Sequence, residues 1–231
     1  DKNTAVFARI SDGASFNSDR VLFQESTNAC GLRCFVGKTV PVNEVKQYEA
    51  GLKNKSGNLS TFVTFFLANT NESNYDLTNG VTSFTKYKAK GVELEAGYRM
   101  GAFRINGGVT LTDAEVTQSS NAAYVGKAPN RQAKAIYQLS PTYKLENTTF
   151  GAAVIGTSGS KDAQTTGLEA TLPGYTYVNA FVSHELSKAT TLSLSVNNLT
   201  NALGYTEVNS DRSAARSITG RTVKVGLKYN F

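Results

Sequence analysis

Two cysteines and one histidine are the residues of this sequence whose types and spacing could do chemistry. Cys30 and Cys34 lie close together in the polar, glycine-containing segment NACGLRCFVG. Such a pair predicts a disulfide that closes a short loop, and therefore an oxidising compartment; two free thiols in a cytosolic loop are the alternative. A zinc site would need two more ligands, and the only histidine is His184, so we expect neither a Cys/His metal site nor a cofactor.

His184 stands at alternate spacing from Val178, Ala180 and Val182 in YVNAFVSHEL, close to the predicted short connection SKAT. Histidine is the usual acid–base group at neutral pH. Here it lies on the apolar side of a predicted strand and at the end away from the long connections. This placement favours an interfacial residue over a catalytic one, and we expect a protein that is not an enzyme.

The composition narrows the class of protein. Apolar residues make up 40% of the 231 residues and the mean hydropathy is −0.28, so no segment has the length of apolar residues that a transmembrane helix needs. Twenty glycines, only four prolines and 23 phenylalanines and tyrosines favour strands and turns. The net charge of +6 permits an anionic partner, but its basic residues are scattered and lack a nucleic-acid-binding motif, so we expect no nucleic acid.

A hydrophobic period of two runs through the whole chain and predicts about ten long antiparallel strands. They cover residues 4–11, 42–53, 58–69, 84–100, 102–116, 131–145, 148–158, 174–186, 191–198 and 216–231. The connections alternate in length. Short ones lie at 54–57, 101, 146–147 and 187–190, and long polar ones at 12–41, 70–83, 117–130, 159–173 and 199–215. This layout is typical of an up-and-down sheet with turns at one rim and loops at the other.

The two faces of the predicted strands differ in chemistry. Val92, Leu94 and Tyr98 alternate with Glu93 and Glu95, and Arg99 and Arg104 continue the same polar side. Charges on one face would be costly in a sandwich core but suit a water-filled lumen, and several strands reach the length of about 9–11 residues that crosses a membrane. We therefore predict an all-β antiparallel transmembrane barrel; a soluble β-sandwich or β-helix is the less favoured alternative.

Several segments resemble TonB-dependent outer-membrane receptors. The ending GRTVKVGLKYNF is similar to their last strand with its terminal phenylalanine. YTYVNAFVSHELSKATTLSLSVNNLTNALGY is similar to their penultimate hairpin, although Asn179 replaces the usual aspartate and Thr200–Asn201 replace the usual Phe-Asp. Upstream, VFARISDGASF, EVKQYEAGLKNK and KAKGVELEAGYRM resemble receptor strands in the family's order.

The resemblance implies the last ten strands of a barrel of about 22 strands whose lumen holds a plug domain. Residues 1–231 would be its C-terminal part, without the plug and the earlier strands. It implies a bacterial outer-membrane transporter that takes up a scarce large solute, a ferric siderophore first, energised by the TonB complex through the missing N-terminal part. Tyr229 and Phe231 would then close the barrel and signal assembly.

Residues of the long connections are the candidates for binding the solute, because function concentrates on loops that a rigid scaffold holds. Arginine suits an anionic ferric siderophore, and tyrosine a catecholate or a sugar. The candidates are Arg20, Arg33, Lys38, Tyr75, Tyr124, Arg131, Arg212 and Arg216.

Lys86, Lys88 and Lys90 alternate in phase with Val92 and Leu94, just beyond a long connection. We expect them to point outward above the hydrocarbon and hypothesise that they contact lipopolysaccharide phosphates; a solvated strand extension is the alternative. A second interpretation of the whole chain also stays open, namely a self-contained small outer-membrane barrel with an adhesive, structural or hydrolytic role.

Overall fold

The computed structural model describes residues 2–16, 25–26, 34–35, 42–76, 81–163, 169–209 and 213–231. Ten of its strands form one antiparallel sheet in the order β1-β4-β5-β6-β7-β8-β9-β12-β13-β16. Every neighbouring pair is consecutive among these ten strands, so the sheet is a meander with β1 and β16 at its edges. The bounds are β1 Thr4–Phe16, β4 Val42–Ser56, β5 Leu59–Asp76, β6 Val81–Met100, β7 Phe103–Ser119, β8 Ala135–Leu145, β9 Thr148–Thr157, β12 Tyr175–Glu185, β13 Thr190–Asn197 and β16 Thr222–Tyr229.

Six short strands lie in the long connections and pair two by two. They are β2 Glu25–Ser26, β3 Cys34–Phe35, β10 Ser160–Ala163, β11 Glu169–Leu172, β14 Tyr205–Val208 and β15 Ala215–Ser217. A single-turn 3₁₀ helix, Ala122–Tyr124, lies between β7 and β8. None of the helices in the described ranges has the length and apolar character needed to pass through a bilayer.

The ten-stranded antiparallel sheet predicted from the sequence is confirmed, but several of its boundaries are wrong. Strands β1 and β5 continue to Phe16 and Asp76, well beyond the predicted ends at residues 11 and 69. Two predicted starts also differ. The sixth predicted strand began at residue 131, but β8 begins at Ala135 because Arg131 adopts a left-handed backbone with φ 61°. The last predicted strand began at residue 216, but residues 215–217 form β15, which pairs with β14, and β16 begins only at Thr222. In both places the alternation of side chains continued into a loop that leaves the sheet.

The register gathers the apolar side chains on one side of the sheet, called the apolar face below. Val92 of β6 lies between Phe65 of β5 and Leu111 of β7, and Leu94 pairs with Val109. These side chains are not covered by protein: Phe65 is 61% exposed and Val225 of β16 is 74% exposed. The described residues form no second layer over this face, which therefore needs the hydrocarbon expected from the sequence.

The opposite side, called the polar face, carries charged and small residues together with a few aromatic rings. Glu93, Glu95 and Arg99 of β6 lie there, and Arg104 of β7 is directly opposite Arg99. On the first two strands an ion pair of 2.8 Å joins Arg9 to Glu49, which are cross-strand partners. A polar face with ion pairs along its wall fits a lumen.

Glycines on this face admit aromatic rings from the neighbouring strand. A Cβ atom on Gly91 would lie 2.5 Å from the ring of Phe66 and 2.2 Å from the carbonyl oxygen of Leu111. Gly151 and the ring of Phe181 form a similar close pair between β9 and β12. Each ring packs over the backbone of the glycine. A larger residue at the glycine position would displace the ring, so the glycine keeps the two strands closely packed.

Gly91→Ala should destabilise the protein by about 1–3 kcal/mol, since the added methyl group would collide with backbone and a packed ring. The measurement is urea or thermal unfolding of the purified protein in detergent. Gly13→Ala is the matched control, because a Cβ atom at this strand glycine of β1 meets no atom within 4 Å. Equal stability of the two variants would contradict the packing role of Gly91.

Candidate functional site

A cavity of about 620 Å³ opens on the polar face, at the end of the sheet where the long connections lie. Strands β5, β6 and β7 form its wall, because at 18, 20 and 17 residues they are much longer than a membrane crossing requires. Register places Thr70, Tyr87 and Val116 side by side across these three strands. The lining is Thr70, Glu72, Thr85, Tyr87, Ala89, Ala114, Val116, Tyr124, Ala128, Pro129, Asn130, Arg131 and Gln132.

Glu72 and Tyr87 are hydrogen-bonded on the strand wall of this cavity. The Tyr87 hydroxyl donates to Glu72 Oε2 over 2.8 Å. Burial raises the pKa of Tyr87 to about 12, and the neighbouring Glu72 carboxylate adds to the shift. The phenol therefore stays protonated at neutral pH, and its proton fixes the orientation of the carboxylate.

The connection between β7 and β8 forms the opposite wall. Its backbone pairs with the end of β7, since Val116 N donates to Lys127 O and Gly126 N to Val116 O over 2.8 and 2.9 Å. Asn121 caps the 3₁₀ helix by accepting a hydrogen bond from Ala123 N at its side chain. These contacts bring Tyr124 and residues 128–132 to the cavity.

Arg131 links this connection to the next two long connections. Its left-handed backbone directs the N–H toward Lys161 O of β10, at 2.7 Å. Its Nε donates to both carboxylate oxygens of Asp162 at 3.3 Å, and its Nη2 lies 2.9 Å from Glu207 Oε1 of β14. One side chain therefore contacts two other loops.

Asp162 and Glu207 complete the network, which we call the loop clamp: Arg131, Asp162, Glu207 and Arg216. Asp162 is only 2% exposed and also accepts the N–H of Val208 at 2.9 Å. Arg216 Nη1 lies 3.2 Å from Glu207 Oε2. Two guanidinium groups and two carboxylates balance one another, so the clamp holds β10, β14, β15 and the cavity wall together without a net charge.

Asn198 organises the start of the last long connection. It is 3% exposed, with a left-handed φ of 49° that asparagine tolerates better than most residues. Its side-chain amide donates to Ala202 O and Thr219 O, and its Oδ1 accepts the N–H of Ala202. Asn179 Oδ1 in turn accepts the N–H of Asn198. The motif NNLTN therefore shapes the loop and does not face the cavity.

The structure brings together some of the binding residues predicted from the sequence. Tyr124 and Arg131 line the cavity, while Arg216 belongs to the clamp and is 81% exposed. Tyr75 lies in β5 opposite Thr82. Arg20, Arg33, Lys38 and Arg212 lie outside the described residues, as does Cys30 of the predicted disulfide; Cys34 lies in β3.

The three lysines of β6 lie on the apolar face, as their spacing predicts. Lys90 forms an exposed ion pair of 3.5 Å with Asp113, and Lys88 is directly opposite Glu115. Lys86 faces the neutral Gln118. The row is therefore partly balanced by carboxylates of β7, and Lys86 is its member without an acidic cross-strand partner.

At the short-turn end, His184 shares a hydrogen bond of 2.8 Å with Thr148, its cross-strand partner on the apolar face. Tyr229 is opposite Thr190, and its ring meets that of Phe231 edge to face at 5.5 Å. Both positions fit an interfacial girdle. The roles of Tyr229 and Phe231 in closure and assembly stay predictions.

Sequence reasoning missed Glu72, Tyr87, Asp162 and Glu207. Each is a single polar residue in a stretch where such residues are common, and no local motif distinguishes it. Glu72 and Tyr87 stand out only when the register places them together, and Asp162 only when three distant loops meet around it.

The sheet described above matches a known family of barrel proteins. Residues 34–199 match the family described as TonB dependent receptor-like, beta-barrel. The chain belongs to this TonB-dependent receptor family. Its members reside in the bacterial outer membrane, which supplies the hydrocarbon that the apolar face of this receptor barrel needs.

Two kinds of relatives agree with the assignment. The ferrioxamine B receptor of Salmonella typhimurium (strain SL1344) is 30% identical over 201 residues, covering 75% of this chain and 28% of that receptor. The ferripyoverdine receptor of Pseudomonas aeruginosa matches the whole chain with a TM-score of 0.73 at 16% identity, over 31% of its own length. The ferric-catecholate import receptor Fiu of E. coli K12 matches with a TM-score of 0.74 at 16% identity, over 33% of its length. The chain thus spans about a third of these receptors and is a partial barrel.

Asp162→Ala should loosen the β14–β15 hairpin, because Arg131 and the Val208 N–H lose a buried acceptor. We expect hydrogen exchange of residues 205–209 and 215–217 to become about tenfold faster, as for the loss of one charged hydrogen bond. Mass spectrometry of the full-length receptor in detergent measures it. Asp113→Ala, which removes only an exposed pair, is the control and should change little. Unchanged exchange in Asp162→Ala would show that the clamp does not hold the hairpin.

Proposed function

We propose that this chain is part of a transporter that takes up a ferric siderophore across the outer membrane, energised by the TonB system. The cavity between the extended strands and the β7–β8 connection is the observation that carries the proposal. Membership of the TonB-dependent receptor family supports it, as do the relatives whose names specify ferrioxamine B and ferripyoverdine.

The cavity has the properties of a ligand site. Its volume of about 620 Å³ is in the ordinary range for small-molecule sites. One wall is a hydrogen-bonded sheet and the other is a loop fastened by the clamp, so the site is largely formed before the ligand arrives. Rigid walls reduce the conformational entropy that binding must overcome.

We further propose that residues 1–231 are the C-terminal part of the receptor barrel, with a plug domain and earlier strands elsewhere in the receptor. The chain spans only 28% of the ferrioxamine B receptor, which leaves room for both. The contact with the TonB complex would be made through that other part. The open edges of β1 and β16 would pair with other strands, which removes the unsatisfied backbone groups that lipid cannot hydrogen-bond.

The proposal is a transport function without catalysis. His184 is the only histidine, and it lies on the apolar face with Thr148 as its partner. The cavity is at the opposite end of the sheet. One of the similar receptors is an import receptor by name, which favours uptake over the hydrolytic or adhesive alternative.

The test is uptake of radioactive iron by cells that produce the full-length receptor in place of their own siderophore receptors. We expect ferric siderophore uptake that disappears in a strain without TonB.

The variant Tyr124→Ala should weaken siderophore binding about fivefold, because removing an aromatic ring from the cavity costs about 1 kcal/mol of binding free energy. The variant Tyr143→Ala, on the apolar face, is the control. Binding of no ferric siderophore, or uptake independent of TonB, would contradict the proposal.

We also propose that Lys86, Lys88 and Lys90 contact lipopolysaccharide phosphates above the hydrocarbon boundary. Replacing all three by glutamine should reduce the lipopolysaccharide that copurifies with the receptor, measured by mass spectrometry, since phosphate binding depends on the positive charge. The control replaces Lys55, Lys224 and Lys228 on the polar face. Equal lipopolysaccharide in both triple variants would exclude the contact.

A further inference from the structure

The charges that line the cavity are few. Among its described lining residues only Glu72 and Arg131 are charged; the others are neutral polar, aromatic or apolar. Arg131 is paired with neighbouring opposite charges, whereas Glu72 is paired with none in the described part of the chain. This difference determines which kind of ligand the cavity favours.

Arg131 is already neutralised by the loop clamp. Its guanidinium lies 3.3 Å from the buried Asp162 and 2.9 Å from Glu207. Arg216, the other clamp cation, also uses Glu207. An anionic ligand that recruited Arg131 would have to break these pairs and leave the carboxylate of Asp162 buried without its cation, which is costly.

The negative charge of Glu72 is not neutralised in this way. Within the part of the chain that the structure describes, no lysine or arginine forms an ion pair with it, and its partner is the Tyr87 hydroxyl. That hydrogen bond occupies Oε2, and none of the described residues donates a hydrogen bond to Oε1. The uncompensated charge of this wall is therefore negative.

We propose that Glu72 makes the cavity select ferric siderophores that carry a cationic group over anionic ones. The inference rests on the proposed uptake function and names its substrate class. The cationic group, such as an ammonium, donates to Glu72 in a charge-assisted hydrogen bond. Thr70, Thr85 and Gln132 offer neutral donors and acceptors to the rest of the ligand, and an anionic tris-catecholate is repelled by the same carboxylate.

A matched ligand series separates charge from shape. The ferric complex of desferrioxamine B carries a terminal ammonium, its N-acetyl derivative is neutral at that end, and its N-succinyl derivative is anionic. Isothermal titration calorimetry with the full-length receptor should give affinities that fall in this order. Glu72→Gln should weaken binding of the ammonium ligand about tenfold, the value for a hydrogen bond to a charged group, and leave the affinity for the neutral ligand unchanged.

Two further variants sharpen the test. Glu115→Gln removes a carboxylate from the apolar face of β7 and should preserve the order of affinities. Tyr87→Phe keeps the ring but releases Glu72, and should weaken only the ammonium ligand, by less than Glu72→Gln. Unchanged affinity of the neutral ligand also shows that each variant is folded.

The opposing outcomes are distinct. Equal affinity of the wild-type receptor for the three ligands, or an unchanged preference in Glu72→Gln, overturns the charge selection. An equal loss for all three ligands in Glu72→Gln assigns Glu72 a structural role and overturns it as well. A receptor that binds none of the three but takes up anionic ferric siderophores refutes the charge selection and leaves the uptake function standing. A receptor that binds no ferric siderophore at all refutes both.

Discussion

The backbone hydrogen bond between neighbouring strands is the interaction on which the rest of this structure depends. In hydrocarbon no water can satisfy an unpaired N–H or C=O group, so each residue of a membrane strand must pair with the next strand. Within the described residues, every strand of the ten-stranded meander has a paired strand on both sides except β1 and β16. No other part of the described chain covers the apolar face, because lipid surrounds it. The strand register therefore has only to keep the apolar side chains on one face.

The same pairing builds the candidate site beyond the membrane. Strands β5, β6 and β7 keep their register well past the length of a membrane crossing, and their polar face becomes a stiff wall. The loops need a different source of order because they have no continuous sheet. The clamp supplies it with a buried carboxylate, Asp162, whose partners come from two other connections.

The charged residues around the cavity have two separate roles, because some hold the loops together and one remains to contact a ligand. A buried carboxylate is stable only when its charge is paired, and the pairing uses the cationic group of Arg131. Sequence reasoning assigned Arg131 and Arg216 to an anionic ligand because arginines in loops commonly serve that purpose. In the folded chain both are engaged by Asp162 or Glu207, and the charge left on the described cavity wall is that of Glu72.

The strand pattern and the two faces could be predicted from the sequence, because a period of two is a local property that each strand carries in its own residues. The family could be predicted as well, because several strand segments resemble those of known receptors. The sequence also predicted that Tyr124 lies in a ligand-facing loop, and the structure places that residue at the cavity. Where a strand stops was decided by tertiary contacts, as at Arg131, whose backbone leaves the sheet to reach Lys161. The cavity and the clamp were likewise decided only by the fold. Glu72 and Tyr87 are 15 residues apart in sequence, and Asp162 and Val208 are 46 apart; such pairs meet through register and loop packing, which no local pattern records.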